Sequence, residues 1–155
     1  LLGERGAARV FGPQKGATRE TIPYLEQRLA SLDELAPYRD LPGAGAGGGL
    51  GAALAALGGQ LLDGAQLVLD LIGFDERARG ADLVVSGEGT VDATTFEGKA
   101  PGTVARRCRE LGVRCVLFGG RVRGEFDVET RALSGDRALA AEDLVQLGEE
   151  LALAG

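Results

Sequence analysis

Two carboxylates and a lysine define the chemistry this sequence can offer. Glu88 and Asp92 lie four positions apart in Ser86-Gly-Glu-Gly-Thr-Val-Asp92, and Lys99 follows in Gly98-Lys-Ala-Pro101. Carboxylates accept protons or hold hard cations, and a lysine is a compact positive charge suited to phosphate or carboxylate oxygens. The chain contains no histidine. That excludes Ser-His-Asp and Cys-His catalysis and every His-ligated metal. Acid–base work therefore falls to carboxylate, lysine or substrate, and a metal, if used, is hard and oxygen-ligated, with Mg²⁺ the natural candidate. A surface turn of solvated charges is the plain alternative. The density of glycines, two acids and a lone lysine favours a site.

The elements that must position these groups can be read on both sides. Residues 82–86 carry the apolar run Leu83 to Val85, which predicts a buried parallel strand. Ser86-Gly87-Glu88-Gly89 then predicts a turn, placing the acids in a loop after a strand's carboxyl end, where open α/β sheets put ligands. Pro101 suits a first helical turn, Val104, Cys108 and Leu111 give that helix a buried face, and Gly112 predicts its C-cap. Val113 to Phe118 predicts a second buried strand, ending in Gly119-Gly120. Strand, helix and strand make a βαβ unit, parallel and right-handed. Arg121 to Asp136 is mixed and polar and predicts a short helix with loops. Leu144, Leu147 and Leu151 predict a terminal helix.

Upstream, a helix is expected from Thr18 or Thr21, with Ile22, Leu25, Leu29, Leu32 and Leu35 as its stripe. Pro37 and Pro42 mark a connection. A glycine loop, Gly43-Ala-Gly-Ala-Gly-Gly-Gly-Leu-Gly51, then runs into Leu54, Leu57 and Leu61, which with Leu50 share one helical face. Such a loop can present Gly45, Gly47 and Gly48 N–H groups to an anion, or serve close packing through small residues. The two readings weigh evenly. Gly43, Gly45 and Gly48 match GxGxxG, but Asp40-Leu-Pro precedes them instead of a strand, so no dinucleotide fingerprint is assigned. No GxxxxGK[ST] occurs. Gly58, Gly59 and Gly64 suggest a boundary near residue 64, and Leu67, Val68, Leu71 and Ile72 a short helix beyond it.

The 155 residues suffice for a real core, and a net charge of −6 argues against nucleic acid as a partner. Cys108 and Cys115 lack zinc or CxxC spacing and read as buried free thiols in a reducing cytosol. No stretch is long enough to span a membrane and no signal peptide is visible. The chain has no methionine and opens mid-pattern, so a piece of a longer protein is expected. Only two lysines occur, Lys15 and Lys99, each beside a glycine, against 15 arginines. This placement hints at phosphate contacts.

Four blocks carry a resemblance to the bacterial glycerate kinase family. They are Leu1 to Ala7 with Phe11-Gly-Pro-Gln-Lys-Gly-Ala17; Pro42 to Gly51; Gly73-Phe-Asp-Glu-Arg77; and Ala81 to Asp92 with Gly98-Lys-Ala-Pro101. Thr90 and Ala93-Thr94-Thr95 depart from the family's usual residues. The resemblance implies an α/β fold: a Rossmann-like parallel sheet portion from residues 65–155, plus part of a second, inserted α/β domain from residues 1–64. It implies ATP-dependent phosphorylation of D-glycerate, 2-phosphoglycerate being favoured, with ATP and Mg²⁺ as cofactors, a cytoplasmic location, and compatibility with a homodimer. A non-catalytic ligand-binding or regulatory module built on the kinase fold is the alternative. In the kinase reading Asp92, Glu88 and Lys99 are catalytic. Asp92 or Glu88 accepts the substrate hydroxyl proton or holds Mg²⁺, the sequence leaving both as candidates for either role, and Lys15, Gly45, Gly47, Gly48, Gly87 and Thr95 bind substrate or phosphate.

Overall fold

The computed structural model describes residues 1–153. The chain divides into two units, residues 1–63 and residues 64–155.

The first unit holds α1 (Ala7–Phe11), α2 (Thr21–Ala30) and α3 (Leu50–Ala56), with 3-10 turns at Pro13–Lys15, Asp33–Tyr38 and Ala46–Gly48. Residues 1–63 contain no strand. Thr18 and Thr21 exchange hydrogen bonds at the start of α2, 3.3 Å from Thr21 N–H to Thr18 Oγ1 and 2.8 Å in return. Helix α2 stops before Leu32 and Leu35, which belong to the region of the next 3-10 turn. Arg9 ties α1 to α2 through a two-pronged bond to Glu26, at 3.0 and 2.8 Å. The leucine face expected of α3 is turned outward, with Leu50 and Leu54 exposed and Leu57 beyond the helix. Its buried side is Gly51, Ala52 and Ala55. A Cβ on Gly51 would stand 2.2 Å from the Gly43 carbonyl oxygen. Small residues win there because they admit backbone contact that leucine would block.

The second unit is built on a parallel sheet. Strands β1 (Val84–Val91), β2 (Cys115–Val122) and β3 (Glu129–Ala132) lie in that order, every pairing parallel. Helices α4 (Gly64–Leu71) and α5 (Phe74–Arg79) precede β1, α6 (Ala100–Leu111) connects β1 to β2, and α7 (Ala140–Leu153) follows β3. Alternation along β2 feeds two cores. Cys115 and Leu117 pack with Leu69, Val104 and Cys108 on the α6 side, whereas Val116 packs with Leu147 and Leu151 of α7. The βαβ unit is as expected, and Gly112 ends α6 in the left-handed region at φ 70°. Cys108 and Cys115 are buried free thiols, and burial pushes Cys115 up to about 12.

Three expectations for this second unit are corrected. Strand β1 does not end at residue 86, because Gly87, Glu88 and Gly89 continue it. Glu88 pairs with Gly119, and Val91 with Val122. The glycines read as turn residues, but small residues here let two backbones close. A Cβ at Gly87 would meet the Phe118 carbonyl oxygen at 2.6 Å and its ring at 2.7 Å. Strand β2 likewise runs through Gly119-Gly120 to Val122. Val84 and Val91 both contact the α6-side core although they are seven positions apart, and so do Leu117 and Val122, five apart. Strict alternation would separate each pair, so both strands change face across their facing glycines. Third, the segment after Arg121 yields strand β3 and not a short helix. Leu133 N–H extends that pairing by donating to Gly119 O at 2.8 Å.

Candidate functional site

The sheet's carboxyl end carries the acids. Glu88 sits on β1, half-buried, and its strand neighbours line a depression of about 450 Å³ with Arg121, Asp136 and Arg137. Directly after β1, Asp92 caps the 3-10 turn Ala93–Phe96. Its Oδ1 accepts from Thr94 N–H at 2.9 Å and Thr94 Oγ1–H at 2.6 Å. Thr95 closes the turn from inside. Its hydroxyl accepts from Asp92 N–H at 3.0 Å and donates to Glu88 Oε1 at 2.5 Å. Lys99, ahead of α6, donates to Glu88 Oε2 at 3.2 Å. Gly98, at φ 95°, makes the left-handed turn that delivers the lysine. The chain therefore joins Glu88, Asp92, Thr95 and Lys99 into one hydrogen-bonded cluster.

The electrostatics distinguish the two acids. The Thr94 hydroxyl, chiefly, holds Asp92 below the usual carboxylate range; burial opposes it, while Thr94 N–H, Lys99 and Arg123 add to the lowering. Both oxygens of Glu88 already accept a hydrogen bond. The Asp92 side chain also accepts from Thr95 N–H, completing a capping box with the Thr95 hydroxyl. No group of three or more His, Cys, Asp or Glu side chains among the described residues is arranged to hold a metal alone. Mg²⁺ commonly takes only one or two carboxylates, the rest of its shell being water and phosphate oxygen. Glu88 and Asp92 supply the two carboxylates that such a partial role needs.

Two predicted binding residues take other positions. Thr95 is fully buried with its hydroxyl engaged in both directions, so it holds Glu88 in place and does not face a ligand. Gly87 lies inside β1 against Phe118, where its lack of a side chain serves packing. Lys99 is ion-paired with Glu88 at 3.2 Å.

Lys15, Gly45, Gly47 and Gly48 belong to the first unit. Lys15, Gly47 and Gly48 line one cleft of about 810 Å³. Gly47 and Gly48 take left-handed conformations, at φ 61° and 76°. Gly48 N–H donates to Gly45 O at 3.1 Å, so it is already occupied within the turn. Gly45 N–H and Gly47 N–H make no such bond among the described residues.

Sequence reasoning missed Arg121 and Arg137, which bring positive charge to the depression beside Glu88. The available signal was Arg121 immediately after Gly119-Gly120, at the end of an apolar run. It also missed the support behind α6. Arg107 bonds Asp75 of α5 at 2.9 Å and Asp70 of α4 at 2.7 Å, bracing the helix that Lys99 precedes.

Comparison with known proteins agrees with this architecture. The family model described as the glycerate kinase family matches residues 1–148. A glycerate kinase from Halalkalibacterium halodurans is 37% identical over 97% of this chain and 43% of its own length. Glycerate 2-kinase from Escherichia coli is 41% identical over 83% of this chain and 35% of its own length. The chain thus spans about two-fifths of the length of such relatives. The crystal structure of a glycerate kinase 2 from Salmonella typhimurium LT2 superimposes with a TM-score of 0.59, at 38% identity, covering 86% of this chain and 37% of that one. With a parallel βαβ sheet, clustered acids at its carboxyl end, and a family match across nearly its whole length, the chain belongs to the glycerate kinase family.

Proposed function

We propose that the protein to which this chain belongs transfers the γ-phosphoryl group of ATP to D-glycerate, giving ADP and 2-phosphoglycerate. Residues 1–63 supply part of an inserted domain, and residues from 64 onward supply part of the Rossmann-like domain. The observation that carries the reading is the Glu88–Thr95–Asp92 linkage with Lys99 on Glu88. Phosphoryl transfer needs positioning and charge neutralisation more than covalent help from protein. A glycerate hydroxyl forms its bond to the γ-phosphorus as the bond from phosphorus to the ADP oxygen breaks. The hydroxyl proton passes to Asp92, which is ionised at neutral pH as any unperturbed Asp is and is held further below the usual range by Thr94. Thr95 fixes Glu88, and Lys99 places positive charge beside it for the transferred group. Asp92 and Glu88 would hold Mg²⁺, which supplies charge neutralisation to the phosphate oxygens. Lys15 contacts phosphate or the acid's carboxylate.

No helix among the described residues is long and apolar enough to cross a membrane. The cytoplasmic location in this proposal rests on the buried free thiols Cys108 and Cys115, which suit a reducing compartment. The test of function is ADP release by the complete gene product with Mg-ATP, with and without D-glycerate, and ³¹P NMR of the product. Glycerate-dependent release giving the 2-phosphate is expected. A folded protein that binds glycerate yet releases no ADP would be a binding module, and the proposal would fail.

A further inference from the structure

We infer that the cleft of residues 1–63 is the seat of the nucleoside triphosphate: its apolar wall takes the base, and Lys15 and Arg28 take the phosphates. This deepens the kinase reading and rests on it. The cleft measures about 810 Å³, within the range of sites for ligands of nucleotide size. Phe11, Leu25, Leu29 and Leu32 line it, and Phe11 and Leu32 are each 41% exposed. An open aromatic ring among leucines suits a flat base, which stacks on apolar and aromatic faces.

Charge points the same way. The chain holds 23 acidic against 17 basic residues, yet no Asp or Glu lines this cleft. Its two charged lining residues are Lys15 and Arg28. Neither has an ion pair or side-chain hydrogen bond among the described residues. The nearby Glu26 of α2 is instead held by Arg9, at 2.8 Å. An apolar wall beside two free cations, with acids excluded, calls for a ligand that is flat and apolar at one end and multiply anionic at the other. Of the two substrates of a glycerate kinase only the nucleotide has that form. Glycerate is a three-carbon polar acid with no apolar face to set against Phe11 and the leucines, and it would fill a small part of the space.

The experiment uses the complete gene product and two readouts. One is equilibrium binding of ADP by calorimetry, alongside steady-state KM values for ATP and D-glycerate. The other is photolabelling with 8-azido-ATP, followed by peptide mapping. The variants are Lys15→Ala, Arg28→Ala and Leu25→Asp, each checked by circular dichroism and thermal melting. The expected result is a weakening of ADP binding on the order of tenfold for each cation variant, as for loss of one charge-assisted phosphate contact. The KM for D-glycerate should change by less than about twofold, and the label should map to residues 1–48. Arg28→Lys should restore part of the affinity where Arg28→Ala does not. Labelling confined to residues beyond 63, or unchanged ADP affinity in all folded variants, overturns the assignment while turnover keeps the kinase reading intact. A raised glycerate KM with unchanged ADP affinity also overturns it, giving the cleft to the acid. A wild-type protein that neither binds ADP nor releases it overturns both.

Discussion

Gly102→Ala is the sharpest structural perturbation available, because it strikes the site from behind without touching a charged group. A Cβ on Gly102 in α6 would stand 2.2 Å from the Thr95 carbonyl oxygen, 2.8 Å from its carbon and 2.9 Å from Phe96 Cα. Every one of these is backbone, so no side chain can swing aside. Ordinary contact begins near 3.4 Å, so the 3-10 turn carrying Thr95 must retreat by roughly 1 Å or α6 must tilt. Overpacking of this kind costs about 1–3 kcal/mol. A displacement of about 1 Å also lengthens the Thr95–Glu88 hydrogen bond, which spans 2.5 Å, out of range. Misplacement by that amount can cost on the order of 100-fold in rate. Thermal unfolding and kcat of the complete gene product should therefore fall together. Wild-type melting and wild-type kcat in Gly102→Ala would refute the claim that α6 and the Thr95 turn are in contact.

Other expectations are narrower. A Cβ at Gly148, within α7, would meet no heavy atom within 4 Å, so Gly148→Ala should raise stability by about 0.5–1 kcal/mol in chemical denaturation. Thr95→Val strips the hydroxyl that joins Glu88 Oε1 to the Asp92 N–H, and should cost about 1–3 kcal/mol and lower kcat, with Thr95→Ser retaining most of both. Thr94→Val removes the largest influence lowering Asp92. Asp92 acts as the ionised form, so activity is lost as pH falls through its folded pKa. The acid limb of kcat/KM should lie below the ordinary carboxylate range in wild type and shift to higher pH in the variant. The stability contributed by this carboxylate has the same sign: it is present above the unfolded pKa and lost as pH falls through the lower folded value.

What could be read from the sequence followed from periodicity and punctuation. Helix α6 was legible because Pro101, the buried Val104 and Cys108, and Gly112 all speak to one helix. The extension of β1 was not, because Gly87 and Gly89 carry turn chemistry locally while pairing with β2 decides their conformation. Strand β3 was missed because Glu129-Thr-Arg-Ala has no apolar face. It is a sheet edge whose order comes from its neighbour. The leucines of α3 misled for the opposite reason, since the helix buries glycine and alanine against the Gly43 carbonyl. At the site, the charged groups Glu88, Asp92 and Lys99 were visible by type and spacing. The role of Thr95 was not, since only the three-dimensional turn shows that its hydroxyl lies between Glu88 and Asp92.

The central claim is that the Glu88–Asp92–Lys99 cluster performs phosphoryl transfer, and Asp92→Asn tests it most directly. Asparagine keeps an oxygen for the Thr94 hydrogen bonds, so the capped turn and the melting temperature should survive. The kcat for D-glycerate phosphorylation should fall by about 10²–10⁴-fold, the usual contribution of a positioned proton acceptor. Turnover near the wild-type value in a folded Asp92→Asn enzyme would contradict the assignment and remove Asp92 from the reaction.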